Sequence, residues 1–146
     1  MSKKKIILIS VLIVVAVAGL YGYREFNRKN PDLATIEATE QIHSDALIQA
    51  FKTGDKNTAT RYIGKVVAVS GTVKEIINED GVYTIAIGND TNMDAVRCSM
   101  DSLHSKEAAT LSKGLSVTLK GVCTGFNADE LLGSDVVMNR CVVEKK

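Results

Sequence analysis

The sequence predicts an all-β domain with helical additions. Five strands in the order β-β-β-α-β-β close into a small Greek-key barrel, behind short helices and an apolar N-terminal segment. Three observations carry this expectation. Apolar and polar residues alternate from Lys65 onward, as in strands with one face on a core. One helix-like stretch interrupts the strands, between the third and the fourth. The first strand is long and carries a glycine near its centre, Gly71. A glycine there weakens a straight strand and suits a bulge or a bend, which lets one strand serve both halves of a closed sheet.

The chain begins with Lys3, Lys4 and Lys5, then runs from Ile6 to Tyr23 without a charge. Eighteen helical residues span roughly 27 Å, against a bilayer core of about 30 Å. Arg24, Arg28 and Lys29 follow the run, and Tyr21 and Tyr23 suit the interface. Two readings stay open. One is a membrane anchor. The other is a cleaved signal peptide, with a small-x-small site after Ala18. Three basic residues on each side leave the positive-inside rule undecided, whereas the short basic tail favours a domain on the far side.

Segments follow in order: a basic N-terminus (1–5), the anchor or signal segment (6–23), a linker with the only proline, Pro31 (24–43), a short helical arm (44–64) and the barrel domain (65–146). In the arm, Ser44 is expected to cap a helix bearing Leu47, Ile48 and Phe51 inward. Asp55 caps a second, carrying Ala59, Tyr62 and Ile63 inward and ending at Gly64. The strands are "KVVAVSGTVKEII", "VYTIAI", "AVRCSM", "SVTLKGVCTG" and "SDVVMNRCVVE". The first two are joined by "NEDG", which has turn chemistry. In the interruption, Asp101 or Ser105 is placed to cap, with Leu103, Ala108 and Leu111 toward the core. This order and the central glycine are the pattern of an OB-fold.

The stretches "YIGKVVAVSGTV", "VRCSM", "LSKGLSVTLKGVCTG" and "DVVMNRCVV" together resemble the bacterial tRNA anticodon-binding-like OB-fold family. The likeness runs from about Tyr21 to Val143, strongest at Gly64-Lys65, Gly71-Thr72-Val73, Gly121 to Gly125 and Arg140-Cys141. It implies a small protein with an N-terminal membrane segment, short helices and one OB-fold. A fold of this kind does not by itself give an activity.

Cys123 and Cys141 lie symmetrically about Leu132 and are expected to face each other across a hairpin. In an oxidising compartment a bridge there, with seventeen residues between, would add about 3 kcal/mol. A Cys98–Cys141 bridge and three unpaired thiols are the alternatives. No Cys-x-x-Cys occurs, so redox catalysis is not expected. The three cysteines with His43 and His104 show no metal-ligand spacing, and "GNDTNMD" lacks the calcium-loop pattern. No metal, cofactor or catalytic residue is assigned. The carboxylates are scattered, and no nucleophile elbow surrounds a serine.

Beyond the three N-terminal lysines, fifteen Lys and Arg face seventeen Asp and Glu, so the remainder carries 15 − 17 = −2. With one arginine and no aromatic on the outward positions of the second and third strands, the barrel lacks a single-strand platform. Candidate ligand-binding residues are Arg97, Phe126, Thr84 and Asn127, with Arg97 and Phe126 expected to converge. The sequence thus predicts a single-pass protein of the inner or cytoplasmic membrane. Its OB-fold faces outward and binds a small ligand, a glycan or an envelope protein without transforming it. The alternatives are a nucleic-acid-binding OB-fold facing the cytoplasm with reduced cysteines, and a purely structural partner in an envelope complex.

Overall fold

The computed structural model describes residues 3–28, 31–129 and 131–144. Parts of the expected basic N-terminus (1–2), linker (29–30), last hairpin loop (130) and C-terminus (145–146) lie outside the described residues. The chain forms two compact units, one through Pro31 and one from Asp32.

The first unit is α1 (Lys3–Phe26). Its aliphatic side chains are exposed along its length, which water would penalise and lipid would not. The Ser10 hydroxyl donates back to the Ile6 carbonyl at 3.0 Å, so this polar group is satisfied within the helix. Among the described residues α1 is the one helix long and apolar enough to cross a membrane.

The second unit contains six strands: β1 (Glu40–His43), β2 (Val66–Glu79), β3 (Val82–Gly88), β4 (Ala95–Met100), β5 (Ser116–Asp129) and β6 (Gly133–Val143). Five close a ring in the order β2-β3-β4-β6-β5, with β5 returning to β2. The β4–β6 pair is parallel; the other ring pairs are antiparallel. The sixth strand was not expected. "EQIH" falls within the expected linker, yet it lies parallel on β2, Glu40 beside Val67 and His43 beside Ser70. Only Ile42 marks an apolar position there, so the strand is set by its distant partner rather than by its own alternation.

Alternation decides the core. Val67, Val69, Val73, Ile85, Ile87, Val96, Leu119, Val136 and Met138 point into the barrel and are buried. Burying each such side chain favours folding by about 1.5–3 kcal/mol. Two helices follow β1, α2 (Ser44–Lys52) and α3 (Lys56–Tyr62), and α4 (Ser105–Ala108) sits between β4 and β5. Leu47 and Ile48 of α2 join the core, and the helix packs on β1, β2, β3, β4 and β6. It therefore closes one end of the ring.

Several local expectations are corrected. The cap of α2 is His43, whose Nδ1 accepts from the Asp45 amide at 3.4 Å. Ser44 is already inside the helix, its hydroxyl buried without a partner among the described residues. The register irregularity of β2 falls at Lys74, between Val73 and Glu75, and not at Gly71. Gly71 has another use. A Cβ there would stand 2.7 Å from Ser44 Oγ, so its absence lets α2 approach the strand. Asp55 does cap α3, accepting from the Asn57 amide at 3.0 Å. Of the residues expected inward on α3, Tyr62 is buried, whereas Ala59 and Ile63 are exposed. Leu103 is also exposed, because the turn capped by Asp101 is a tight 3₁₀ turn that swings it outward; Ala108 is buried.

Candidate functional site

Strand parity sets two faces on the barrel wall. Arg97 of β4 stands beside Ala86 of β3 and Val137 of β6, all on the outer face. Thr84 stands beside Ser99, and Asn127 of β5 beside Asp135, on that same face. The expected Arg97–Phe126 convergence is corrected. Phe126 pairs with Val136, a fully buried position, and so faces inward. Its ring stacks on Phe51 of α2 at 5.3 Å, and Phe51 meets Tyr62 of α3 at 6.0 Å. The register irregularity between Cys123 and Gly125 gives β5 an extra residue, Thr124, which turns Phe126 onto the inner face.

Arg97 is held in place by Asp135 of β6, which accepts from its Nε. The two Nη groups have no protein partner among the described residues, and neither do the side chains of Thr84 and Asn127. The face thus offers donors in a fork, a hydroxyl and an amide. Such a set can bind a carboxylate, a carbonyl or a sugar hydroxyl. It holds no nucleophile–base pair. Two turns flank it, Asn78–Gly81 and the β5–β6 tip, and they carry Glu79, Asp80 and Asp129 but no lysine or arginine. Two backbone amides, Leu131 and Leu132, donate to Asp129 and hold its carboxyl below its usual range.

Sequence reasoning missed Asp135, although its parity with Val137 would have placed it outward beside Arg97. It also missed an apolar tip. Leu131, Leu132 and Met93 are largely exposed, and Gly133 lies directly against Met93, which brings the hairpin tip and the β3–β4 loop together. A second node steadies that loop. Asp94 accepts from Lys52 Nζ at 2.7 Å and from the Ser134 amide at 2.8 Å, while Lys74 Nζ donates to the Asp94 carbonyl at 2.9 Å. The Lys52 hydrogen bond, aided by the Ser134 amide, holds the Asp94 carboxyl below its ordinary value.

All three cysteines are free and buried. The expected Cys123–Cys141 disulfide is not formed, and the register explains why. Cys123 lies opposite Met138, not Cys141, because the hairpin turns about Leu131, with Asp129 opposite Gly133, and not about Leu132. Arg140, at φ 56°, marks a further irregularity between β4 and β6 and brings Cys141 beside Met100. Cys98, the alternative partner of Cys141, pairs with Met138 along the backbone, yet its thiol lies in hydrogen-bond contact with that of Cys141. Burial pushes the Cys123 thiol up to about 11. A hydrogen bond with Cys98, with burial, raises Cys141 well above its ordinary value. Thiolates are suppressed at all ordinary pH for these two, so they are poor nucleophiles and poor metal ligands. No cluster suited to a metal ion occurs among the described residues.

The model of the tRNA_anti-like family matches residues 1–142. A crystal structure from Klebsiella pneumoniae subsp. pneumoniae MGH 78578, described as a "putative nucleic acid-binding lipoprotein", shares 18% identity at a TM-score of 0.57. That similarity covers 81% of this chain and all of the other, and it shows the OB-fold. OBody AM3L09, bound to hen egg-white lysozyme, shares 18% identity over 59% of this chain and 87% of its own, at a TM-score of 0.45. Asparaginyl-tRNA synthetase from Pyrococcus horikoshii shares 21% over 57% of this chain and 20% of its own, at 0.40. No curated protein sequence matches the chain.

Proposed function

Since the chain belongs to the tRNA_anti-like family, we propose that it is a binding module on the OB-fold, tethered to the membrane by α1, with its barrel outside the cytoplasm. It binds an envelope protein, a glycan or a small ligand and transforms none of them. The observation that carries this reading is the outer face of β3, β4, β6 and β5. There Arg97 is fixed through Nε by Asp135 while its Nη groups have no partner among the described residues, and Thr84 and Asn127 lie on the same face. Polar groups held rigid on strands are suited to recognition.

A nucleic-acid role is less well supported. Acidic turns border the face, the rings of Phe51, Tyr62 and Phe126 pack together, and the chain beyond its N-terminal lysines has no positive excess. The synthetase and lipoprotein likenesses speak to fold.

Photo-crosslinking tests the face. A photoreactive amino acid at Thr84 or Asn127 of the full-length protein in native membranes is expected to give a discrete adduct. The same group at Thr60, on α3, is expected to give none. Equal yields from all three positions would remove the face from consideration, and an adduct containing RNA would favour the cytoplasmic alternative.

A further inference from the structure

The segment from Asp32 to Ala38 crosses the outside of β5 and β6. Leu33 is buried there, against both strands. The next residue, Ala34, accepts through its carbonyl from Lys120 Nζ at 3.3 Å. Lys120 is a β5 residue beside Ala68 and Val142, and only 7% of it is exposed. Two clefts open on either side of this contact. One, of about 340 Å³, reaches Glu37 and Gln41. The other, of about 380 Å³, reaches His104 and Glu107. Ala34, Lys120 and Glu144 line both. These volumes are in the range of small-molecule sites.

Among the described residues, neither Lys120 nor Glu144 is paired with an opposite charge. An ammonium has three N–H donors, and Lys120 uses one, on a neutral carbonyl. Glu144 lines the same clefts yet forms no ion pair with it, and its carboxylate bonds to no described residue. A buried cation held apart from its counter-charge is costly, and an anionic group seated on it removes that cost. A multivalent anion such as phosphate fits poorly, since Glu37, Glu107 and Glu144 line the walls. His104 cannot offset them, because it is engaged with Asp32 at 2.9 Å and Glu107 at 3.8 Å. A molecule with one carboxylate and one ammonium satisfies both sides.

We infer that the two clefts beside the Asp32–Ala38 strap, which share Lys120 and Glu144, bind a small zwitterion of amino-acid or short-peptide type. Its carboxylate meets Lys120 and its ammonium meets Glu144. This site is separate from the Arg97 face and does not depend on it.

Full-length protein in detergent micelles, titrated with glycylglycine and followed by amide NMR, tests the inference. Acetate and methylammonium serve as single-charge controls. Glycylglycine is expected to shift the amides of Ala34, Lys120 and Glu144, and to bind more tightly than either control. Lys120→Met and Glu144→Gln are each expected to weaken it by roughly tenfold or more. If Lys120→Met loses its spectral dispersion, Glu144→Gln alone decides, since the Glu144 side chain bonds to no described residue. No shift at those amides by about 10 mM, where a millimolar ligand saturates, overturns the site. So does acetate binding as tightly as glycylglycine, or Glu144→Gln leaving the affinity unchanged.

Discussion

Arg97 and Phe126 point to opposite sides of the same barrel wall, Arg97 in register with Val137 and Phe126 with Val136. One residue of offset along β6 separates an outward-facing arginine from an inward-packing ring. Substituting each by alanine is therefore expected to have distinct effects. Arg97→Ala should leave the melting temperature within about a degree or two, as a surface change does, and abolish the crosslinks from Thr84 and Asn127. Phe126→Ala should cost about 2–4 kcal/mol, because it removes a ring stacked on Phe51. Chemical denaturation and crosslinking on the same variants separate the two.

Asp94 ties α2, β2 and β6 to one loop. Its carboxyl is depressed mainly by the Lys52 hydrogen bond, with Asp32 and Asp129 depressed elsewhere. A depressed carboxyl contributes stability that is present above the unfolded value, near 3.8, and is lost as pH falls through the folded value. Melting curves are accordingly expected to be flat around neutrality and to fall steeply below about pH 3.8. Asp94→Asn should cost about 1–3 kcal/mol at pH 7 and flatten part of that acid limb.

The three thiols should be slow to react in the folded protein. Raising Cys123 from 9.0 to about 11 cuts its thiolate roughly a hundredfold at neutral pH, and burial slows access further. Labelling with a small disulfide reagent is expected to consume three thiols in denaturant without prior reduction. In native buffer it should consume almost none over the same interval.

Gly71 and Ser44 are coupled through a close approach. Ser44→Ala removes a buried hydroxyl that bonds to nothing described, so stability should hold or rise by about 1 kcal/mol. Gly71→Ala forces a methyl toward that hydroxyl and should cost about 1–3 kcal/mol. The cost should shrink in the Ser44→Ala background, which a double-mutant cycle by urea unfolding measures.

These relationships also show how far the sequence could be read. Val67, Val69, Ile85 and Ile87 declare their strands because each alternates against a core that repeats every second residue. The closing of the ring was legible from strand order and from the helical interruption. Register was not. The offset that parts Cys123 from Cys141 comes from a turn centred on Leu131 rather than Leu132, and an irregularity such as the extra Thr124 leaves no mark in an alternation already broken by glycines. The strand at Glu40–His43 was hidden for another reason. Its stability lies in a parallel partner some twenty-seven positions later, Glu40 beside Val67, and not in its own composition. Of the candidate site, Arg97, Thr84 and Asn127 share a face, as outward parity allowed. Phe126 does not, and Asp135, which orients the arginine, needed β6 in register to be seen.

Labelling of a single engineered thiol on the proposed binding face tests the central claim most directly. Ser99→Cys lies beside Thr84 on that face, in a protein whose native thiols are buried. In spheroplasts bearing the full-length protein, a membrane-impermeant maleimide is expected to modify it before any lysis. Modification only after the membrane is broken would put the barrel in the cytoplasm and contradict the account.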